Sequence, residues 1–319
     1  MSKAKPPLIL SYTRWDEAPW LARFRAAAPD RPVLSLAEVK DTLPDRFYLS
    51  CWRPPADLFR IIPKPLLILC PGAGVDNVMA AAPPPDVPLT RIVDPDLTGR
   101  MVEYVALHAL MHLRQMTNYQ TSQQERRWRP RHQPAAREVT VGILGAGEMG
   151  LAAATALKAV GFQVIGWRRS PAPDAPIPIH AGAAGLPAFL AATDILVNLL
   201  PSTPETRGLI DAALIGCLRN PGPLGAPAFI NAGRGDTVQD ADLIAALEDG
   251  RLRAASLDVF TVEPLPVDSP YWDLPNVIVT PHVAADSMPD AVCAAILAEI
   301  SAFEAGRPLI HPVDRSKGY

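Results

Sequence analysis

Between residues 8 and 94 the chain alternates short apolar runs, at 8–12, 32–36, 47–51, 66–70 and 91–93, with proline-rich breaks. Each run has strand length, and near-continuous apolarity suits parallel strands covered on both faces. An alanine-rich stretch at 20–28 predicts a helix between two of them. The segment APPPDVP at 82–88 predicts an extended connector, because proline removes the N–H and fixes φ. A long helical pattern follows Gly99, at 101–119, with apolar residues three and four apart and no internal Gly or Pro.

After an arginine-rich connector the rhythm changes to strand and helix in turn. Strands are predicted at 139–144, 163–167, 195–199, 228–231, 254–259 and 277–280, and helices at 149–160, 211–218, 240–248 and 289–305. Such alternation predicts parallel α/β sheets. A length of 319 residues accommodates two domains of roughly 150 residues each. They are joined through the helix at 101–119 and the segment after His282.

Charge excludes one large class. The chain has 30 Lys+Arg against 33 Asp+Glu, a formal net of −3, whereas a nucleic-acid-binding domain typically has a pI above about 9. No run reaches the roughly 18 apolar residues of a membrane span. The first 20 residues mix charges and prolines where a secretory leader needs an unbroken apolar stretch. Cys51, Cys70, Cys217 and Cys293 form no CxxC and no metal-like cluster. They read as reduced thiols of a cytoplasmic protein that binds neither nucleic acid nor membrane. No metal site is expected.

The sharpest motif is VTVGILGAGEMG at 139–150. Gly145, Gly147 and Gly150 form GxGxxG directly after a strand, and Glu148 and Met149 lie within the motif, where a helix begins. Gly145 permits the tight turn, Gly147 the approach of a pyrophosphate, and Gly150 close helix–strand packing. The N-terminus of the helix then offers N–H groups to the phosphates. The end of the next strand selects the nucleotide. An Asp or Glu about 20 residues on would bond a ribose 2′-OH, but this chain has Trp167, Arg168, Arg169 and Ser170 there, with no acid before Asp174. Two guanidiniums and a hydroxyl suit a 2′-phosphate, so NADPH is expected over NADH.

A second glycine turn, Gly72-Ala73-Gly74-Val75, lacks a third glycine. Its amides could hold a small carboxylate, or it is a simple turn. Downstream, Arg234 follows one strand in AFINAGRG. Asp258 and Glu263 follow another in SLDVFTVEPLP, and His282 follows a third in VIVTPHV. Ligands of open α/β sheets bind beyond the carboxyl ends of strands. Arg, Glu and His together can reduce a 2-keto acid. Arg pairs bidentately with carboxylate and carbonyl oxygens, His donates the proton, and Glu fixes the other ring nitrogen.

Carried by GAGVD at 72–76, GAGEMG at 145–150, NLLPSTPET at 198–206, NAGRG at 231–235, LDVFTVEPLP at 257–266 and TPHVA at 280–284, the chain resembles the D-isomer-specific 2-hydroxyacid dehydrogenases. Within that family it is similar to the glyoxylate/hydroxypyruvate reductase A type. The narrower likeness is carried by WRPP at 52–55, Glu103-Tyr104, Trp167 with its Arg pair, and the tail VDRSKGY at 313–319.

The resemblance implies an α/β fold of two doubly wound parallel-sheet domains. A Rossmann cofactor domain, 99–283, is inserted into a flavodoxin-like substrate domain made of 1–98 and 284–319. It implies Arg234, Glu263 and His282 as catalytic, and Gly72, Ala73, Gly74 and Val75 as substrate-binding. Asp258 is implied at the nicotinamide carboxamide, and Leu200 and Pro201, within NLLPSTPET, beside the cofactor. A homodimer and reduction of a small 2-keto acid by NADPH are the further implications. A non-catalytic, nicotinamide-responsive binding protein of the corepressor type is the alternative, which the complete Arg/Glu/His set disfavours.

Several residues keep two readings. His108 and His112, four apart on one helix, could share a metal, but a helical dimer or domain face is the better account, since no HExxH glutamate accompanies them. Trp52 either caps a pocket or is an ordinary buried aromatic. Trp128, among the arginines of 126–131, either reaches a partner subunit or faces solvent. Proline is 36 of 319 residues, about 11% against a usual ~5%. Pro54, Pro55, Pro71, Pro201, Pro264, Pro266 and Pro281 lie in or beside the motif loops, where a fixed φ reduces the entropy lost on ordering.

Overall fold

The apolar runs of the first 94 residues become β1 (Leu8–Tyr12), β2 (Val33–Ser35), β3 (Tyr48–Trp52), β4 (Ile68–Leu69) and β5 (Leu89–Thr90). The structure is a computed structural model that describes all residues except 1–4, 14, 40–41, 63, 317 and 319. The first four residues of the N-terminal segment and Lys317 and Tyr319 of the tail motif therefore lie outside the described residues. The chain divides into two units, Met1–Leu97 with Ser287–Tyr319, and Thr98–Asp286.

In the first unit all five strands are parallel, in the order β2-β1-β3-β4-β5. This is the doubly wound order of flavodoxin-like folds. Leu8 and Leu10 of β1 enter one core with Tyr48, Leu69, Val292, Ile296 and Ile300, while Ile9 enters the opposite core with Leu49, Cys51 and Ile68. Both faces are covered, so the strands read as continuous apolar runs rather than alternating ones. The helices Glu17–Ala27 and Pro289–Glu304 supply the cover for Leu8 and Leu10, through Phe24 and Ile296 among others.

The second unit contains β6 (Thr140–Leu144), β7 (Gln163–Arg168), β8 (Ile179–Ala181), β9 (Ile195–Asn198), β10 (Ala228–Asn231), β11 (Ala254–Leu257) and β12 (Val277–Val279). Its sheet is parallel throughout, in the order β12-β11-β10-β9-β6-β7-β8, a Rossmann order with one added edge strand. Val141, Ile143, Val197 and Ile230 fill the core on one face; Leu144, Leu196 and Phe229 fill the other. Each such buried side chain contributes about 2 kcal/mol of apolar burial.

Three expectations need correction. The run at 91–93 is not a strand: the ladder is made by Leu89 and Thr90, and the N–H of Ile92 instead reaches the carbonyl of Gly72 at 3.1 Å. The helix expected at 101–119 is two, Pro95–Leu113 and Met116–Gln124, with Gly99 inside the first. Gln115 breaks it by taking a left-handed conformation, φ 56°, and its amide donates to the carbonyl of His132 at 2.6 Å. That bond is long-range, so no local propensity forecasts it. Third, β8 and the helix Gly182–Ala191 occupy a stretch for which the sequence pattern predicts no element. Two glycines and Pro187 disfavour a helix there, and burial of Phe189 and Leu190 overrides that bias.

Candidate active site

In the second unit the strand order turns between β6 and β9, which are neighbours although not consecutive. The loops following these two strands meet there. Gly145, at φ 103°, ends β6, and a Cβ on it would lie 2.8 Å from the backbone carbon of Leu199. Only glycine fits both that conformation and that approach. Gly150 is as tightly placed, since a Cβ there would collide with the carbonyl of Gly145. At Gly147, by contrast, the space beyond Cα is open.

Gly147 is the N-cap of the helix Glu148–Val160, and no side chain caps the N–H groups of its first turn. An uncapped helix start of 13 residues, with open space over its glycine, fits a pyrophosphate. The residues present therefore suit a dinucleotide.

Trp167 and Arg168 end β7, and Trp167 Nε1 donates to the carbonyl of Gly182 at 2.9 Å. Arg168 is half-buried, whereas Arg169 and Ser170 are exposed. Leu200 and Pro201 follow β9. The N–H of Leu200 donates to Asn198 Oδ1 at 3.2 Å, and the hydroxyl of Thr206 donates to the carbonyl of Pro201 at 2.6 Å. Asn198 Nδ2 also donates to Asn231 Oδ1 and to Thr237 Oγ1, both at 2.9 Å, which ties the end of β9 to the end of β10.

Arg234, Asp258, Glu263 and His282 follow three adjacent strands, β10, β11 and β12. Arg234 is half-buried, and its Nη1 donates to the carbonyl of Gly233 at 2.9 Å. The hydroxyl of Thr237 donates to the carbonyl of Arg234 at 2.6 Å, which holds the turn around it. His282 Nδ1 lies 3.0 Å from both carboxylate oxygens of Glu263, with the two side chains 39% and 20% exposed. The second oxygen contact and the N–H of Phe260, 3.2 Å from Glu263 Oε1, orient the carboxylate. An imidazole so paired carries its Nδ1 proton toward Glu263, and Nε2 is then the nitrogen able to serve a reacting group.

Asp258 is 1% exposed and surrounded by donors. Its Oδ1 accepts from Thr280 Oγ1 at 2.6 Å and from the N–H of Val283 at 2.9 Å; its Oδ2 accepts from the N–H of Ala284 at 2.9 Å. The carboxylate thus braces the loop that presents His282.

In the first unit, Trp52 ends β3, and its ring lies against Gly72, where a Cβ would come within 2.5 Å of Cζ3. Trp52 stacks on Trp15, centroids 5.3 Å apart, and Trp15 stacks on Trp20 at 5.1 Å. Gly72, Ala73, Gly74 and Val75 follow β4, and Cys70 Sγ lies 3.4 Å from the carbonyl of Gly74.

The account of His108 and His112 as a dimer or domain face is corrected: they are 3% and 2% exposed, inside the second unit. Ser256 Oγ sits between them, 2.8 Å from His108 Nδ1 and 3.0 Å from His112 Nε2. Burial pushes His108 down to about 4 and His112 down to about 3, so both are neutral imidazoles near pH 7. No cluster of metal-binding side chains occurs among the described residues. Reasoning from motifs passed over Tyr104 and Thr280 as site residues, although Tyr104 Oη and Thr280 Oγ1 are 2.9 Å apart. The available signal was the spacing of Tyr104, His108 and His112, three residues four apart on one face of the helix.

The family model described as "D-isomer specific 2-hydroxyacid dehydrogenase, NAD binding domain" matches residues 106–284. A glyoxylate/hydroxypyruvate reductase A of Yersinia enterocolitica is 36% identical over 321 residues, covering 98% of this chain and 99% of that protein. The crystal structure of an NADPH-dependent glyoxylate/hydroxypyruvate reductase of Sinorhizobium meliloti, in complex with NADP and sulfate, is similar with a TM-score of 0.91 at 44% identity, covering 99% of this chain and 100% of that one. A D-isomer specific 2-hydroxyacid dehydrogenase of Xanthobacter autotrophicus, in complex with NADPH and MES, is similar with a TM-score of 0.90 at 38% identity, covering 99% and 100%.

Proposed function

The chain belongs to the D-isomer specific 2-hydroxyacid dehydrogenase family, and from that premise we propose that it reduces glyoxylate or hydroxypyruvate with NADPH. It is an oxidoreductase. The observation that carries the reading is the His282–Glu263 pair at 3.0 Å, on a strand end two places from that of Arg234, in the unit that also carries the dinucleotide loop. The relatives reported above are named as reductases and dehydrogenases, so the corepressor alternative is not carried forward.

Gly145, Gly147, Glu148, Met149 and Gly150 would hold the pyrophosphate by backbone N–H groups, with Leu200 and Pro201 beside it. Trp167, Arg168, Arg169 and Ser170 would receive the adenosine ribose and its 2′-phosphate, and no Asp or Glu follows β7 before Asp174. Asp258 would meet the amine of the nicotinamide carboxamide through Oδ2, which accepts from the N–H of Ala284. Bound NADPH would supply a hydride to the keto carbon, leaving NADP⁺ and, with one proton, glycolate or D-glycerate.

The rest is the work of this chain's side chains. Arg234 binds the carboxylate and polarises the carbonyl through its planar fork. His282 gives its proton to the oxygen that becomes hydroxyl, and Glu263 stabilises the protonated ring. Gly72, Ala73, Gly74 and Val75 are proposed to bind carboxylate by their amides, and Trp52 to limit substrate size.

Purified chain should consume NADPH with glyoxylate or hydroxypyruvate, followed by loss of the reduced-nicotinamide absorbance. Tight NADPH binding with no turnover on a panel of 2-keto acids would sink the reading. Arg168→Asp should raise the KM for NADPH by about tenfold or more, on the scale of one lost charge-assisted contact of ~1.5–3 kcal/mol. Its KM for NADH should change little; equal losses for both cofactors would remove Arg168 from the phosphate site.

A homodimer is also proposed. Leu107, Met116 and Trp128 are exposed apolar residues of the second unit, 56%, 39% and 99% accessible, as an association surface requires. Light scattering should give twice the 34.3 kDa chain mass, and a monomeric mass would refute it. No helix among the described residues is long and apolar enough to cross a membrane. The four free cysteines support a reducing, cytoplasmic location.

A further inference from the structure

We propose that Tyr104 is a positioning residue for His282, acting through the hydroxyl of Thr280 and the carboxylate of Asp258. The role builds on the reading of His282 as proton donor.

His282 has φ 57°, a left-handed conformation in a residue that is not glycine. Such a backbone costs on the order of 1–3 kcal/mol and persists only where its surroundings over-determine it. Here the determinants converge on one residue. The N–H of His282 donates to the carbonyl of Asp258 at 2.8 Å and that of Thr280 at 3.1 Å, and the next two N–H groups, of Val283 and Ala284, both donate to the Asp258 carboxylate. Three consecutive amides are therefore held by Asp258. If that carboxylate turns, the loop loses two of its anchors.

The hydroxyl of Thr280, 2.6 Å from Oδ1, joins the amides of Val283 and Ala284 in fixing the rotation of the carboxylate. A carboxylate only accepts, so the single Thr280 proton is committed to Asp258. Tyr104 Oη, 2.9 Å from the same hydroxyl oxygen, must then be the donor in that bond. Each proton has one place to go, and the order runs Tyr104 to Thr280 to Asp258. Without the Tyr104 donor the Thr280 hydroxyl loses the second bond that holds it toward Asp258.

Tyr104 is itself anchored. It is 9% exposed, on the helix Pro95–Leu113, and its ring packs on His108 with centroids 4.1 Å apart. His108, Ser256 and His112 then form a second hydrogen-bonded row that fastens the same helix face to β11. A neutral imidazole row suits this purpose, because it adds no charge beneath Asp258. The stripe Tyr104–His108–His112 thus links the helix to the strand ends that bear Asp258 and His282.

The test uses the full-length chain, with Tyr104→Phe and Thr280→Val removing hydroxyls at nearly constant shape, and Thr280→Ser keeping one. Histidine labelled at Cε1 is followed by NMR without cofactor, the His282 signal being the one missing from His282→Ala. Tyr104→Phe and Thr280→Val should each lower kcat about tenfold, short of the ~10²-fold cost of a 1 Å misplacement. The His282 signal should shift or broaden in both variants. Thr280→Ser should restore both readouts. Unaltered kcat and an unaltered His282 signal in Tyr104→Phe would overturn the proposal, as would a Thr280→Ser variant as impaired as Thr280→Val. Should the unmodified chain reduce no keto acid, the proposed function falls, and the His282 signal alone still decides the role of Tyr104.

Discussion

His282→Ala is expected to lower kcat for the keto acid by about 10²–10⁴-fold, the range supplied by a positioned proton donor. The carbonyl oxygen gains negative charge as the keto carbon is reduced, and with the imidazole gone only water can neutralise it. The Glu263 carboxylate, 3.0 Å from Nδ1, loses the partner whose protonated form it stabilises. Binding of NADPH should be unaffected, because the glycine loop and Arg168 belong to β6 and β7, at some remove in strand order from β12. Steady-state kcat at saturating NADPH, with the NADPH Kd from fluorescence, separates the two effects. A variant with near-normal kcat would refute the assignment of His282 as proton donor. Glu263→Gln should show a smaller loss, since the amide still orients the ring but brings no negative charge beside it.

The second large effect is expected at Arg234. Arg234→Leu should reduce kcat/KM by about 10²–10³-fold, since removing one partner of a desolvated charge pair costs roughly 2–5 kcal/mol. Part of that loss should fall on kcat, because the guanidinium also polarises the carbonyl as charge develops there. Arg234→Lys should recover only a fraction: it restores the charge but not the planar fork that engages two oxygens at once. Saturation curves in the keto acid check both variants. If Arg234→Leu raised only the KM for NADPH, the residue would belong to the cofactor and not to the substrate.

Local sequence was most informative where chemistry depends on backbone. GxGxxG carries its own reasons: the positive φ at Gly145 and the clash that any side chain at Gly150 would meet are written into residue type. The continuous apolar runs likewise announced parallel, doubly covered strands, and β1 and β10 follow the expected bounds, Leu8–Tyr12 and Ala228–Asn231. The strand ends near Arg234, Asp258, Glu263 and His282 were legible for the same reason, since these polar residues lie in the short segments that follow apolar strands.

Other features depended on partners distant in the chain. The break at Gln115 is stabilised by a bond to residue 132, and the helix Gly182–Ala191 is retained by buried Phe189 and Leu190 against its own glycines and proline. Asp258 was expected at a carboxamide. Only the fold revealed that Thr280, Val283 and Ala284 already draw on its two oxygens. Tyr104 lies 176 positions from Thr280, and His108 lies 148 from Ser256. Nothing in the intervening sequence encodes those contacts.

The sequence by itself thus determined the class of sheet, the dinucleotide loop, the absence of an acid at the end of β7, and the Arg, Glu and His proposed here for the reduction. These are consequences of residue type, short-range sterics and hydrophobic period, all of which act within a few residues. Tertiary structure alone decided which buried polar groups face each other. It placed Ser256 between two histidines, set Tyr104 behind Thr280, and held His282 in a left-handed turn over the Asp258 carboxylate. Those arrangements arise because buried polar atoms must find partners, and the partners are chosen by how whole strands and helices pack.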